Sequence, residues 1–579
     1  MVRDEDKKEY YYCCPIRTRL VLLCYNIGMP DIPAHDLKKR EFQFTALPAC
    51  FRSVWFLVLC MVVISGLMFF LLMPTYPMQN WDEGIHAQVT REILDTGDWW
   101  TLHYQGELYF RKPPVKMWMT APLLDIFGDH VWVHRFWSSI AGVASAALLA
   151  FFIYKKEKDL IAAWLSGLIF ISGQFIFYHA FRTGETDALL IFFLLFGFFA
   201  YWKASQKPWW FILMGISFGL GIMTKSLAGA IGPIVVLLDV VVQKNWSVFR
   251  SRFFWSGIFS FLIVVLPWHL SMLSIYGKQF WDEYIGFHVV DRTFTQLYAD
   301  LPWYWYGKML VQRLFPLSFF LIGALLVPLW DSFRRKKQNI SLVVLWLFVS
   351  LLLFTVVKTK FEWYILPAYA PAAWIIGRYL SRVIREQTQP FLLATFGASV
   401  FLVFAKIPSA ILPGAKTYWF SLQAYIPGTI QNSMSNPYVW SAFFMVLLAI
   451  LYWIVRKKNT RFVGVLFILL ILHSLGFAFG RNAGTIFTES HTSIYQQIAK
   501  EVSEKKPSRV VTYKTDLYDK PAGYFELYGV VHDIVNVKDS SADFQKAIQK
   551  KSIVITSVDT EFEGRPLIAH IDQYYIYGE

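Results

Sequence analysis

Runs of about twenty apolar residues recur along this chain, separated by short polar segments, and a run of that length has few ways to fold. In hydrocarbon every backbone N–H and C=O must find its partner within the segment, which leaves the α-helix. In water, a chain of 579 residues that are 56% hydrophobic and 18% aromatic would expose more apolar surface than a soluble protein tolerates. The expected class is therefore an α-helical polytopic membrane protein. The net charge of +14 does not point to nucleic acid, because Lys and Arg gather in short patches between apolar runs, as in cytoplasmic loops. All five cysteines (Cys13, Cys14, Cys24, Cys50, Cys60) lie in the first 60 residues. None can staple a later loop, and Cys13-Cys14 lacks the partners of a zinc site.

Walking the chain by this alternation gives about 13 spans. Lys155-Lys156-Glu157-Lys158, Arg334-Arg335-Lys336-Lys337 and Arg456-Lys457-Lys458 fall on one side, read as the cytoplasmic one. Residues 1–52 then form a cytoplasmic N-terminal tail and 53–480 the transmembrane domain. Hydropathy falls after Gly480, and residues 481–579 are expected to fold as a small α/β domain on the outer face. Its expected parts are a helix over 491–505, strands at 509–513, 552–556 and 573–577, and a helix over 544–550. On the outer side lie Asp82, Lys112, Asp187, Lys225, His288, Arg292 and the Lys358–Tyr364 segment.

The outer segment from Trp81 to Lys116 carries the densest signals. Ile85, Val89 and Ile93 fall on one helical face behind Asp82 and Glu83, and Gly97 is placed to stop that helix. Pro113 and Pro114 open a second amphipathic segment, since proline is tolerated in a first helical turn. Such a platform beside a bilayer suits chemistry on a lipid with a charged head. Each residue also has a plainer reading. Asp82 could serve only the helix dipole, Asp187 could belong to an interfacial ion cluster with Arg182 and Glu185, and Lys112 could snorkel to headgroups. His288 stands in no metal-site spacing. Gly215 and Gly219 fit close helix packing.

The order Trp81-Asp82-Glu83, Arg111-Lys112-Pro113-Pro114, Arg182–Asp187, Thr224-Lys225, His288–Arg292 and Lys358-Thr359-Lys360 through Tyr364-Ile365-Leu366-Pro367 resembles the membrane-integral glycosyltransferases of the C superfamily. Within it the chain is similar to the bacterial branch of protein O-mannosyltransferases and lipid A aminoarabinose transferases. The resemblance implies the GT-C fold and residence in a bacterial inner membrane, with the C-terminus in the periplasm. It implies inverting transfer of a sugar from a polyprenyl-phosphate carrier to a lipid, glycan or protein acceptor. By the same resemblance the catalytic residues are Asp82, the reacting carboxylate, and Asp187 beside it, paired to Lys225. Lys112, Arg292 and Tyr364 hold the carrier phosphate. Glu83, Arg111, His288, Lys358 and Lys360 complete the expected substrate-binding set.

One position departs from the pattern. The aminoarabinose transferases place a glutamate before the loop lysine and use it with a histidine for a metal, whereas this chain has Arg111. A divalent metal bridging that position and His288 is not expected, although Asp82, Glu83 and Asp187 could supply ligands, and no cofactor is expected. The chemistry suits the residue types: cations stabilise a leaving phosphate, and a carboxylate takes the acceptor proton. Two other classes remain open. A secondary transporter would carry charges near the midplane and internal repeats, whereas here charges gather at span ends. A non-catalytic subunit that binds lipid-linked sugar would keep the cations without needing Asp82.

Overall fold

The structure, a computed structural model, describes residues 53–386, apart from 327–341 and shorter gaps such as 296–300, and residues 494–578 with a few short gaps. The N-terminal tail, the spans expected between 387 and 480 and the boundary at 480 lie outside the described residues.

Helix α1 (Val54–Phe70) leads into an outer segment. This holds α2 (Asp82–Thr96), the hairpin β1 (His103–Tyr104) and β2 (Glu107–Leu108), and α3 (Val115–Phe127). Then come α4 (Val131–Glu157), α5 (Leu160–Ile171), α6 (Asp187–Ala204), α7 (Trp210–Gly229), α8 (Ile231–Val242) and α9 (Arg252–Phe280). A π-helical stretch, Trp281–Asp291, precedes α10 (Trp305–Arg313), α11 (Leu342–Val356) and α12 (Tyr369–Glu386). Among the described residues α4, α6, α7 and the continuous stretch Arg252–Phe294 are long and apolar enough to cross a membrane, and α1, α5, α8 and α11 are shorter apolar helices.

These helices approach closely where glycine allows it. A Cβ at Gly215 would stand 1.8 Å from the Gly257 carbonyl oxygen, so α7 and α9 touch backbone to backbone. That contact is the use expected of small residues between spans.

The outer segment is built as its periodicity requires. Ile85, Val89 and Ile93 bury one face of α2 against Leu102, Tyr109, Met117 and Ala121. Gly97 adopts φ 70° and its N–H closes on the Ile93 carbonyl. Gln105 and Gly106, both at positive φ (57° and 79°), form the tight turn of the hairpin, as paired left-handed residues do. Glu92 fixes that turn by accepting the N–H of Gln105 at 2.8 Å and of Gly106 at 3.1 Å.

Beyond α13 (Ile494–Lys505) lie β3 (Arg509–Tyr513), α14 (Pro521–Tyr528), β4 (Ile534–Val537), α15 (Ser541–Ala547), β5 (Ser552–Thr556), β6 (Leu567–Ile571) and β7 (Tyr574–Tyr577). The strands make one sheet in the order β4-β3-β5-β7-β6. β3 runs parallel to β4 and β5, while β7 runs antiparallel to β5 and β6. Alternate residues serve opposite faces. Val510, Ile553 and Ile555 enter one core, and Val511 and Val554 the other. The sequence pattern located β3, β5 and β7. It did not reveal β4, β6 or α14, and it placed α15 three residues late.

This cap sits directly on α2. A Cβ at Gly84 would lie 2.8 Å from the Ala522 nitrogen. Arg91 stacks 4.0 Å over the Phe525 ring and donates to the Phe525 carbonyl at 2.9 Å. Tyr528 donates to Asp95 at 3.0 Å, and the Gln105 side chain to the Tyr518 carbonyl at 3.1 Å.

Candidate active site

The start of α2, the hairpin, the π-helical stretch and the cap enclose a cavity of about 250 Å³. Asp82, Arg111, Lys112, His288, Arg292 and Tyr364 line it, so six of the residues singled out from sequence converge. Helix α2 begins at Asp82, which places the carboxylate at the cavity edge. Lys112 follows the hairpin on the same outer segment, and its ammonium lies 3.4 Å from Asp82. Burial raises the Asp82 carboxyl, but the charges of Lys112 and Lys225 outweigh burial and hold it well below the usual carboxylate range. Burial lowers Lys112, and the Asp82 charge reverses this and raises it. Both groups are therefore ionised at neutral pH.

The far wall carries the other cations. Arg292, at the end of the π-helical stretch, donates to the Tyr364 hydroxyl at 3.3 Å. Its backbone carbonyl accepts from Thr359 at 3.1 Å, and that of Thr293 from Lys358 at 3.1 Å. Lys358 thus reaches the site through its main chain. Neither its side chain nor that of Lys360 lines the cavity. Arg111 is half-exposed, 3.5 Å from Glu283. His288 lines the cavity beside Arg292 and Lys112.

Glu83 lies elsewhere. It is fully buried and accepts from both Arg135 nitrogens (2.6 and 2.9 Å), from the Gln79 N–H (2.8 Å) and from the Gly184 N–H (2.7 Å). With its oxygens so occupied, it ties α2 to α4 and to the 181–186 loop and does not line the cavity. Arg135 also donates to the Met73 and Pro77 carbonyls at 2.9 Å, anchoring the chain between α1 and α2.

Asp187, the first residue of α6, accepts from Lys225 at 2.6 Å, both nearly buried. Lys225 reaches it because α7 breaks there: Lys225 has φ −146° and ψ 47°, and Ser226 has φ 39°. The Ser226 hydroxyl donates to Tyr284, which is also 2.9 Å from His269. This pair flanks the cavity without lining it. Between it and Asp82 lies Glu185, whose carboxyl burial and the Asp82 and Asp187 charges raise well above its ordinary range. His86 Nδ1 stands 4.0 Å from Glu185, and burial above all pushes this imidazole down to about 3.

Two places invite a metal. Around His288 the cations Arg111, Lys112 and Arg292 share the cavity, a donor set that repels a dication. His179, Glu185 and Asp187 bring ligand atoms within 4.8 Å of one another. There the Lys225 ammonium already supplies Asp187 with positive charge, so the residues as arranged suit a proton and an ammonium better than an added cation.

Sequence reasoning missed the aromatic and cap residues of the cavity: Trp81, Tyr104, Tyr109, Phe361, Trp363 and Pro521, with the polar Gln105 and Asp519. Only Trp81 and its position next to Asp82 offered a local signal. The others come from segments whose approach depends on the fold.

A family model for dolichyl-phosphate-mannose-protein mannosyltransferases matches residues 111–270. The undecaprenyl phosphate-alpha-4-amino-4-deoxy-L-arabinose arabinosyl transferase of Enterobacter sp. (strain 638) is 28% identical over 335 residues, 56% of this chain and 60% of its own. That of Aeromonas hydrophila is 27% identical over 331 residues, 55% and 59%. The chain thus spans about 60% of the length of these curated relatives. The crystal structure of ArnT from Cupriavidus metallidurans bound to undecaprenyl phosphate superposes with a TM-score of 0.62 at 18% identity, covering 90% of this chain and 97% of that one. Its apo form gives 0.59 at 17%. The resemblance read from the motif order therefore holds as a likeness: the chain is similar in sequence to the dolichyl-phosphate-mannose-protein mannosyltransferase family and to the aminoarabinose transferases, and it shares the fold of ArnT.

Proposed function

We propose that this protein is an inverting glycosyltransferase that moves a sugar from a polyprenyl-phosphate carrier to an acceptor hydroxyl at the outer face of a bacterial inner membrane. The observation that carries this reading is the cavity where one ionised carboxylate, Asp82, lies 3.4 Å from Lys112 in a wall that also holds Arg292, Arg111 and Tyr364. The relatives' names supply the carrier class, undecaprenyl phosphate with a sugar attached.

The chemistry follows from the groups present. The acceptor oxygen attacks the anomeric carbon, and its proton passes to Asp82 as general base. The bond from that carbon to the phosphate oxygen breaks, and the leaving phosphate keeps the electron pair. Lys112 and Arg292 stabilise the charge that gathers there, and being already in place they need no reorganisation. The Asp82–Lys112 contact is long for a charge-assisted bond, which normally closes to about 2.7–2.9 Å. When Lys112 turns to the phosphate, Asp82 loses the largest of the charges that depress its pKa and becomes a stronger base. Glu83, Asp187 and Lys225 act as positioning groups. A single displacement on the opposite face inverts the anomeric centre.

The architecture proposed with this activity has thirteen spans, a cytoplasmic tail over 1–52, a transferase domain over 53–480 and a periplasmic cap over 481–579. Lipid A, a glycan and a protein hydroxyl remain the acceptor classes. A non-catalytic subunit is the second reading, favoured by the low basicity of Asp82 beside Lys112.

Purified protein should bind undecaprenyl phosphate, read as a thermal shift. Lys112→Ala and Arg292→Ala should each weaken that binding by about 10- to 100-fold, as loss of a charged hydrogen bond does. Unchanged binding in both variants would place the phosphate elsewhere. Release of undecaprenyl phosphate from sugar-bearing carrier, with lipid A as acceptor, tests the transfer itself.

A further inference from the structure

Trp81 precedes the reacting carboxylate, and its backbone stands at φ 81° and ψ −135°, a region left almost wholly to glycine. Its indole is 52% exposed and forms part of the cavity wall. Three other tryptophans hold their indole N–H in hydrogen bonds: Trp100 donates to Ser271 at 2.7 Å, Trp137 to the Met119 carbonyl at 2.6 Å and Trp268 to the Trp100 carbonyl at 3.1 Å. Trp81 has no such side-chain partner among the described residues. A bulky side chain is therefore held in a strained backbone, half open, next to the Asp82 carboxylate in the cavity wall.

A sugar ring presents axial C–H bonds on one face, apolar and weakly positive. The face of an indole is flat, apolar and negative at its centre, so the two surfaces match. Cations and carboxylates in the same wall meet the phosphate and hydroxyls but leave that apolar face uncovered. The indole and the Asp82 carboxylate stand on consecutive residues and line the same cavity.

We propose that Trp81 is the platform on which the transferred sugar stacks, making it a specificity-determining residue that selects rings with a flat apolar face. This rests on the glycosyl-transfer reading above. An indole that merely anchored the protein at the membrane interface would be indifferent to the sugar.

The experiment compares Trp81→Gly, Trp81→Ala and Trp81→Phe with the parent in detergent. Probes are undecaprenyl phosphate without a sugar and undecaprenyl phosphate bearing 4-amino-4-deoxy-L-arabinose, mannose or glucose. The parent should bind one sugar-bearing form more tightly than the bare carrier. Trp81→Gly and Trp81→Ala should lose about tenfold of that sugar-dependent increment, with binding of the bare carrier unchanged, and Trp81→Phe should keep most of it. Glycine accepts the positive φ, so the unfolding midpoint of Trp81→Gly should equal or exceed the parent's, which separates recognition from folding. An increment unchanged in Trp81→Gly overturns the platform alone, as does equal weakening of bare carrier. A parent that binds no form of the carrier overturns the transferase reading and the platform with it.

Discussion

Asp82 and Glu83 share the first turn of α2. Glu83 takes four hydrogen bonds with no exposure, while the Asp82 carboxylate has Lys112 at 3.4 Å and opens on the cavity. One carboxylate is saturated, the other loosely paired. A buried acid with every lone pair matched is a structural pin, because removing it strands the opposite charge. An ionised acid with one long partner keeps lone pairs for a proton and can change partner when substrate arrives. Adjacent positions in one helical turn point about 100° apart, so neighbours in sequence reach different surroundings.

The sharpest way to break this contrast is Asp82→Asn. Transfer should fall by about 10²- to 10⁴-fold, as loss of a general base does, with an unfolding midpoint close to the parent's. Near-normal turnover would remove Asp82 from the chemistry and favour a binding subunit.

Glu83→Gln should do the reverse. It leaves the Arg135 guanidinium buried without its counter-charge and should lower stability by about 3–5 kcal/mol. Thermal unfolding in detergent reads this. A variant as stable as the parent but inactive would move Glu83 from pin to reactant.

The smallest effect concerns pH. The ordinary imidazole value is 6.5, and burial above all pushes His86 in the folded protein down to about 3. The unfolded chain therefore takes up this proton first, and the His86 contribution to stability is lost as pH falls from 6.5 towards 3. Glu185, raised by burial and neighbouring acids, works in the opposite sense, so the parent slope alone mixes the two. The stability difference between parent and His86→Gln should change by about 1.4 kcal/mol per pH unit between pH 6 and 5. A constant difference would show that His86 is protonated in the fold.

Much of the site was legible before the fold. Charge at span ends, on the side without basic patches, named Asp82, Lys112, His288 and Arg292, which line the cavity, and Asp187, Lys225 and Lys358, which do not, while Tyr364, implied by resemblance, lines it. The pair Asp187–Lys225 was implied by resemblance and forms at 2.6 Å. Glu83 could not be sorted from Asp82, because its partner Arg135 lies 52 residues away and nothing local marks it. Gln105 and Asp519 were silent for a related reason. One sits in a hairpin with two-residue strands, too short for a period, and the other enters the cavity only because the cap docks on Gly84.

Sequence alone determined the membrane class and the start and stop of α2. It also set the gathering of charge at one end of the spans. These follow from apolar run length, helical period, glycine and proline placement and the distribution of Lys and Arg, all properties of neighbouring residues. Only the tertiary structure decided which acid is pinned and which is open, that Arg111 meets Glu283, and that the cap lines the cavity. Those outcomes depend on side chains tens to hundreds of residues apart meeting within a few ångströms, and close packing sets such meetings where local preference cannot.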